Sequence, residues 1–303
     1  ALRVSSDPLA RNGEGSGRLF LARSLLKSPT KIVQRVWVNR LWQAVFARGL
    51  VTTPDDFGAM GANPSHPEIL DQLSLDFERD GWSTKRMLRR LVLTDAYARS
   101  TAPTPSGKDL DPSNVGLARM HVRRLEAEEI RDALLAASGE LRARRFGPPV
   151  PIHLTEFMNG RGRPGQSGPL DGKGRRSIYL EVRRNFPHPF LSVFDWPPPS
   201  TCRGLRSSSN VPAQALTMLN DPFVEERAEH LARGILGLSI EGAEDEVTDK
   251  RIQALWLRVL GREVSQTERE LAAEFSLSGT DPVAAWTDLS HVLFNVKDFL
   301  FLQ

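Results

Sequence analysis

The stretch "KIVQRVWVNRLWQAVF", residues 31–46, decides the fold class because its apolar side chains recur at the three- and four-residue spacing of an α-helix. The apolar residues predicted to share one face are Val33, Val36, Trp37, Leu41, Val45 and Phe46. Such a stripe is buried against neighbouring helices, and the polar residues between its members lie on the other faces. We expect Gly49 to end this helix, since glycine is common just beyond a helix C-terminus.

Similar periodicity extends through most of the chain. Further helices are predicted over 17–28, from a cap at Ser65, from Ser83 or Thr84 to about Arg99, within 126–141, from a cap at Asn210, and at about 221–237, 247–260, 265–278 and 282–300. Ser265 is expected to cap the helix at 265–278. The fold class is therefore mainly α.

The middle of the chain has a different character. Residues 146–174 are rich in Gly and Pro, and long irregular segments of this kind tend to be either functional or mobile. "RRSIYLEVRR", residues 175–184, alternates apolar and polar side chains and is predicted to be a strand that pairs near "PPVPIHL", residues 148–154. We expect an irregular helical domain with a small β-hairpin and long Gly/Pro-rich loops.

This pattern divides the chain into parts that we expect to form one compact unit. The parts are a polar arm (1–16), an N-terminal helical part (17–145), a Gly/Pro-rich excursion with short strands (146–210) and a C-terminal helical part (211–303).

Composition excludes several classes of protein. Of the 303 residues, 40% are hydrophobic and 25% charged, which is typical of a globular protein rather than a disordered one. The formal net charge of only +3 and the absence of a nucleic-acid-binding motif argue against a nucleic-acid partner. Cys202 is the only cysteine, so the chain can form no internal disulfide and has no CxxC or CxxCH motif.

No apolar run reaches the roughly 20 residues that span a bilayer, and the start of the chain has no signal-peptide pattern. We accordingly predict no membrane span, no metal and no cofactor. The oligomeric state cannot be read from the sequence.

Two short motifs resemble catalytic signatures without their context. "DDFG", residues 55–58, contains the Asp-Phe-Gly of protein kinases, but the phosphate loop and the catalytic-loop motif are missing. Asp56 is better explained as an acceptor for backbone amides of its own loop. "GQSGP", residues 165–169, departs from the G-x-S-x-G elbow of serine hydrolases at Pro169.

Histidines and carboxylates nevertheless provide candidates for acid–base chemistry. His66 would lie beside two aspartates if the preceding loop folded back, and a turn-stabilising role is the alternative. His188 is near Asp195 and Cys202 in the sequence. Cys202 would become a nucleophile if a neighbouring Arg or His lowered the pKa of its thiol, and an incidental cysteine is the alternative. The candidate catalytic residues are His66, Asp55, Asp56, His188, Asp195 and Cys202.

"RSSSNVPAQALTMLNDPFV", residues 206–224, concentrates hydrogen-bonding side chains at the start of a predicted helix. Amides both donate and accept, so they either clamp the backbone of the preceding loop or hold a sugar hydroxyl. The candidate ligand-binding residues are Asn39, Arg40, Arg176, Tyr179, Arg183, Arg206, Asn210, Gln214 and Asn220.

The order of these blocks resembles a known family. "RVWVNRLWQAVFARGLVTTPDDFG", "RRLEAEEIRDALLAASGEL", "RRSIYLEVRR" and "FDWPPPSTCRGLRSSSNVPAQALTMLNDPFV" follow one another as in a planctomycete-type domain of unknown function. The matching motif positions are Asn39, Arg40, Trp42, Gln43, Asp56, Phe57, Gly58, His66, Pro67, Trp82, Arg176, Tyr179, Arg183, Asp195, Cys202, Arg206, Pro212, Gln214 and Asn220.

That family follows planctomycete cytochrome-c domains in secreted multidomain proteins, and its genes often lie near those of sulfatase-like proteins. The resemblance implies a periplasmic or secreted location, companion domains as partners, and a link to complex polysaccharides. Relatives commonly read "WQHHFGRGL" where this chain has Ala44, Val45 and Ala47, so a metal or haem contact made by those histidines is not expected here.

We therefore expect an extracytoplasmic, non-haem binding or docking module for a companion domain or a glycan-like ligand. The alternative is a hydrolase of an ester, lactone or glycosidic bond that uses a histidine and a carboxylate. A structural piece of a larger electron-transfer protein is the third hypothesis.

Overall fold

The computed structural model describes residues 17–277 and 281–302, and its architecture is mainly α-helical, as the sequence predicts. The polar arm predicted for residues 1–16 lies outside the described residues. The chain divides into two compact units, one made of residues 17–123 with Arg203–Leu205 and the other of Arg124–Cys202 with Arg206–Leu302.

The first unit is built from helices around its own apolar core. Its helices are α1 (Arg18–Lys27), α2 (Ile32–Phe46), α3 (Pro67–Arg79), α4 (Thr84–Val92) and α5 (Pro105–Leu110). Its core includes Val38, Phe46, Leu70, Phe77, Met87 and Leu91, contributed by α2, α3 and α4.

Helix α2 buries only part of the face that its apolar spacing predicts. Leu41 and Phe46 are buried as predicted, but Val33 and Val36 are only half-buried and Trp37 is 41% exposed. Val38 and Trp42, which the prediction did not include, are buried in the core. The reason is that α3 and α4 pack against the side of α2 that carries Val38. Helix α2 therefore has apolar side chains on two sides, and the first unit buries only one of them.

Helix α2 also ends earlier than predicted. Its last residue is Phe46, and Ala47 adopts the left-handed conformation with φ 65°. Gly49 serves a different purpose, because a Cβ there would lie 2.6 Å from the Val51 carbonyl oxygen.

The prolines set the helix starts one residue later than the predicted caps. Helix α3 begins at Pro67, so that His66 and not Ser65 is its N-cap, and the helix that begins at Pro212 has Val211 rather than Asn210 at its N-cap. Proline fits the first helical position because it lacks the N–H that would be unpaired there.

Serine caps were predicted correctly where no proline follows. Ser83 accepts a hydrogen bond from the Arg86 amide at the start of α4, although this helix stops at Val92 instead of continuing to about Arg99. Ser265 likewise accepts from the Glu268 amide, at 3.4 Å.

The second unit contains the remaining helices. They are α6 (Ala127–Ala137), α7 (Pro189–Val193), α8 (Pro212–Asn220), α9 (Pro222–Leu236), α10 (Glu244–Leu260), α11 (Gln266–Leu277), α12 (Pro282–Asn295) and α13 (Lys297–Leu300). Helices α9 and α12 pack against each other along their lengths, and their buried residues include Val224, Leu231, Leu289 and Phe294. No helix within the described ranges is long and apolar enough to cross a membrane.

The predicted β-hairpin is not formed. Ser177–Tyr179 is a 3₁₀ turn, and the expected partner segment contributes a single parallel bridge between Val150 and Leu180. The reason is a competing side chain, because Asp132 of α6 accepts hydrogen bonds from the Ser177 amide and hydroxyl at 2.7 and 2.8 Å. The two strands that do pair are β1 (Arg123–Arg124) and β2 (Phe301–Leu302).

Candidate functional site

The second unit contains a cavity of about 160 Å³ that combines three titratable side chains with apolar walls. The titratable residues are His153, His188 and Asp221. The other lining residues are Thr155, Leu170, Pro189, Phe190, Pro222 and Phe223. Small hydrogen-bonding clusters within an apolar wall are typical of ligand sites.

Two prolines place polar residues at this cavity. His188 and Asp221 each precede a proline at the first position of a helix, Pro189 of α7 and Pro222 of α9, and each is therefore an N-cap. Asp221 caps α9 with its side chain, accepting a hydrogen bond from the Phe223 amide at 2.9 Å. The same residues that start the helices thus line the cavity.

His188 is a neutral imidazole with a free nitrogen. Burial lowers its pKa to about 3, and the positive charge of Arg131 and the proximity of His153 act in the same direction. Its Nδ1 is inaccessible to solvent and has no hydrogen-bond partner in the described part of the chain. An unpaired buried polar atom costs about 1–3 kcal/mol, so Nδ1 of His188 destabilises the folded state locally.

His153 has a defined tautomer when neutral. Its Nδ1 lies 3.0 Å from the carbonyl oxygen of Gly168, and since a carbonyl only accepts, Nδ1 carries the hydrogen. The Nε2 atom is then an acceptor.

Asp221 is a carboxylate in a partly dehydrated position. Burial raises its pKa, against the lowering effects of its hydrogen bond from the Phe223 amide and of nearby His153. Asp221 therefore adds acceptor oxygens to the cavity. Within the described ranges, no three His, Cys, Asp or Glu side chains are grouped so that they could hold a metal ion.

Asp195, a predicted catalytic residue, is the centre of a separate polar cluster. Its carboxylate accepts hydrogen bonds from Arg124 Nη2 at 2.6 Å, and from the Ser209 amide and hydroxyl at 2.8 and 2.7 Å. Gln214 completes the cluster by donating to the Val193 carbonyl at 3.1 Å. We call Arg124, Asp195, Ser209 and Gln214 the clasp, and it holds the loop before α8 in place.

The other polar residues of segment 206–224 do not form one row with Gln214. Arg206 makes a bidentate ion pair with Glu128, with bonds of 2.6 and 3.0 Å. Asn220 donates to the Leu216 carbonyl within its own helix, and Asn210 is exposed. Cys202 is an exposed free thiol.

The predicted ligand residues of the excursion contact nearby backbone and carboxylates. Tyr179 accepts a hydrogen bond from the Phe146 amide at 3.1 Å. Arg176 pairs with Asp132 and Arg183 with Glu181.

The candidates in the first unit mostly hold loops. The Asp55 carboxylate accepts from the Gly204 amide at 2.8 Å and that of Asp56 from the Gly58 amide at 2.8 Å. Asn39 is fully buried, and its side-chain amide is hydrogen-bonded to the backbone of Val51. Its Nδ2 donates to the Val51 carbonyl at 3.0 Å, and its Oδ1 accepts from the Val51 amide at 2.8 Å. Arg40 is exposed.

His66 lines a second cavity of about 160 Å³ in the first unit, with Arg48 and His121 among the other lining residues. Its Nδ1 lies 3.0 Å from the Ser65 hydroxyl. Neither Asp55 nor Asp56 is among the residues that line this cavity.

A comparison with protein families identifies the chain. Residues 17–276 match the family described as PSD1, protein of unknown function (DUF1553). The chain belongs to this family. The matched range includes the first unit, the second unit as far as residue 276, and every titratable residue of the second-unit cavity. No curated protein and no solved structure matches the chain.

Sequence reasoning found His188 but missed its neighbours in the cavity. It placed His188 with Asp195 and Cys202, whereas the structure places it with His153 and Asp221. The available signal was the pair of polar-Pro steps, His188-Pro189 and Asp221-Pro222, each of which starts a helix.

Proposed function

We propose that this PSD1 family member is a binding module, and that the second-unit cavity accepts an uncharged, hydroxyl-bearing group such as the edge of a glycan. The observation that carries the proposal is the cavity that brings His153, His188 and Asp221 together beside the aromatic walls of Phe190 and Phe223. A hydroxyl group suits this setting because it can donate to an acceptor and accept from an N–H.

The charges around the cavity support an uncharged ligand. His188 is neutral because burial lowers its pKa, and the positive charge of the Arg131 guanidinium acts on His188 in the same direction. An anionic ligand would be repelled by Asp221. A cationic ligand would be repelled by Arg131, whose side chain is fully buried and permanently charged at neutral pH.

The walls and the size of the cavity narrow the ligand further. Phe190 and Phe223 supply aromatic surface that can pack against the C–H face of a sugar ring. The volume of about 160 Å³ is smaller than the roughly 300 Å³ needed for a drug-sized ligand, so the cavity suits one end of a longer molecule.

The resemblance to the planctomycete-type domain supports the wider part of the proposal. It favours an extracytoplasmic location, a place after a cytochrome-c domain, and a role in complex polysaccharide handling. A companion domain remains a second proposed partner.

Hydrolysis is the alternative outcome of the same test. Its specific support is the fixed tautomer of His153, which leaves Nε2 available to accept a proton from water. Acid–base pairs of a histidine with Asp55, Asp56 or Asp195 have less support. The carboxylates of these residues accept hydrogen bonds from backbone amides, and that of Asp195 also accepts from Arg124.

The test is saturation-transfer NMR and calorimetry with glycerol, myo-inositol and methyl glucosides as probes. Asp221→Asn should weaken binding about tenfold, a loss of about 1.4 kcal/mol, because the amide keeps the helix cap but removes the charge. Asp281→Asn is the matched control, since Asp281 caps α12 before Pro282 in the same way and lies outside the cavity.

The proposal is wrong if none of the probes binds at about 100 mM, or if Asp281→Asn lowers affinity as much as Asp221→Asn. Chromogenic esters, lactones and glycosides form the second arm. Turnover that is lost in His153→Ala would replace binding by hydrolysis as the function.

A further inference from the structure

The first unit carries an apolar groove of about 590 Å³ on the side of α2 that the core does not use. The groove is lined by Leu25 of α1, by Val33, Val36 and Trp37 of α2, and by Phe77 and Trp82. Trp37 and Trp82 are 41% and 38% exposed. Exposed aromatic surface in a concave setting is typical of a protein-binding site.

Helix α1 beside the groove lacks the packing that would stabilise it. None of its ten residues is buried, and Leu19, Phe20 and Leu26 are 64, 49 and 48% exposed. Helices shorter than about 12 residues are marginal in water unless an apolar face is buried. A partner that covers α1 would supply that burial.

The charge of this region indicates what kind of partner fits. Residues 15–54 contain no Asp or Glu, but they contain the basic residues Arg18, Arg23, Lys27, Lys31, Arg35, Arg40 and Arg48. Lys31 and Arg35 are neutralised by Glu78 and Asp71 of α3. Arg18, Arg23 and Lys27 of α1 form no ion pair within the described chain, so α1 presents positive charge that no carboxylate of the described residues neutralises.

We propose that α1 and the groove together bind an acidic amphipathic helix of a partner protein. The apolar side chains of that helix, at the i, i+3, i+4 and i+7 positions, lie between Trp37 and Trp82. Its carboxylates face Arg23 and Lys27, which are four residues apart and therefore share one face of α1. This surface lies in the first unit and does not depend on the ligand proposed for the second.

Two other occupants fit less well. A second copy of the chain would bring another basic α1 against this one, which is repulsive. A membrane surface is disfavoured because the site is concave and because the basic residues of α1 are not confined to one face: Arg18 and Lys27, nine residues apart, lie on opposite sides at about 100° per residue.

The experiment measures the affinity of the full chain for a fluorescein-labelled helical peptide with Leu at the core positions and Glu elsewhere. The matched peptide has Lys in place of every Glu. We expect the acidic peptide to bind at least tenfold more tightly, with a difference that shrinks as salt rises from 50 to 500 mM, because surface charges are screened.

Variants locate the site. Trp37→Glu should weaken the acidic peptide at least tenfold, whereas Leu110→Glu should not, since Leu110 is 85% exposed and lies in α5, outside the groove. The double variant Arg23→Glu and Lys27→Glu should reverse the peptide preference. It cannot unfold the core, since α1 has no buried residue, and it therefore keeps the test valid if Trp37→Glu misfolds.

Three results would overturn the proposal. Equal binding of the two peptides would exclude charge complementarity. Concentration-dependent dimerisation in sedimentation, abolished by Trp37→Glu, would assign the groove to a second copy. Binding to phosphatidylglycerol vesicles that Trp37→Glu abolishes, without peptide binding, would assign it to a lipid surface.

Discussion

Replacing Asp195 by alanine is predicted to destabilise the second unit rather than to remove a catalytic group. The Asp195 and Arg124 side chains are 16 and 11% exposed and are joined at 2.6 Å. The hydrogen bonds from Ser209 to the same carboxylate tie the loop before α8 to α7 and β1. Asp195→Ala would remove all of these at once.

The magnitude of the loss follows from two contributions. Leaving Arg124 buried without its counter-charge costs about 3 kcal/mol, at the lower end of the range for broken buried pairs because both groups keep some solvent contact. The backbone of Asp195 has φ 64°, a left-handed conformation that costs alanine about 1 kcal/mol more. We expect a total of about 4 kcal/mol for Asp195→Ala, and about 2 kcal/mol for Asp195→Asn, which keeps an acceptor and tolerates the backbone.

Urea unfolding followed by circular dichroism measures the loss. Hydrogen exchange over residues 190–220 assigns it to the clasp, which is needed because a chain of two units need not unfold in one step. Asp288→Ala, an exposed helical aspartate of α12, is the control and should change the free energy of unfolding by less than about 0.5 kcal/mol.

A loss below about 1 kcal/mol for Asp195→Ala would refute this reasoning, as would an equal loss for Asp288→Ala. A loss of substrate turnover with unchanged stability would restore Asp195 as a catalytic residue.

Two further outcomes are expected. Gly204→Ala should lower the free energy of unfolding in urea by about 1 kcal/mol, because the new Cβ would lie 2.4 Å from Asp55 Oδ1 and break the hydrogen bond between the Gly204 amide and the Asp55 carboxylate. Gly165→Ala is the control and should not destabilise the protein, since a Cβ at Gly165 would have no atom within 4 Å. Equal effects of the two substitutions would contradict this prediction. Burial lowers the pKa of His188 to about 3, so His188 should make the folded state less stable as pH falls from about 6.5 to 3, because in that range only the unfolded chain gains a proton on this side chain. The urea unfolding midpoints at pH 7 and pH 4.5 should therefore differ less in His188→Gln than in the unaltered protein. An unchanged difference would contradict the lowered pKa of His188.

The helices could be predicted from sequence because their signals are local. Periodic apolar residues identified α6 and α9, and prolines after polar residues mark the starts of α9 and α12. The prediction of a strand at 175–184 was wrong. The alternation of apolar and polar residues is also a local signal, but the 3₁₀ turn at Ser177–Tyr179 depends on hydrogen bonds to Asp132, more than forty residues earlier in the chain.

The candidate site shows the same division. Asn39 and Gln214 could be recognised as hydrogen-bonding residues, but only the structure shows that Val51 and the clasp occupy their amides. The cavity could not be predicted, since His153, His188 and Asp221 come from separate segments that meet only on folding.

The sequence by itself determined that this chain is mainly helical, where most of its helices lie, and which side chains carry polar chemistry, because propensity, periodicity and proline geometry act within a few residues. Tertiary structure decided which face of α2 is buried, that Asp195 holds a loop, and which histidine meets which carboxylate. These outcomes depend on packing and hydrogen bonds between segments distant in the sequence, and no local pattern encodes them.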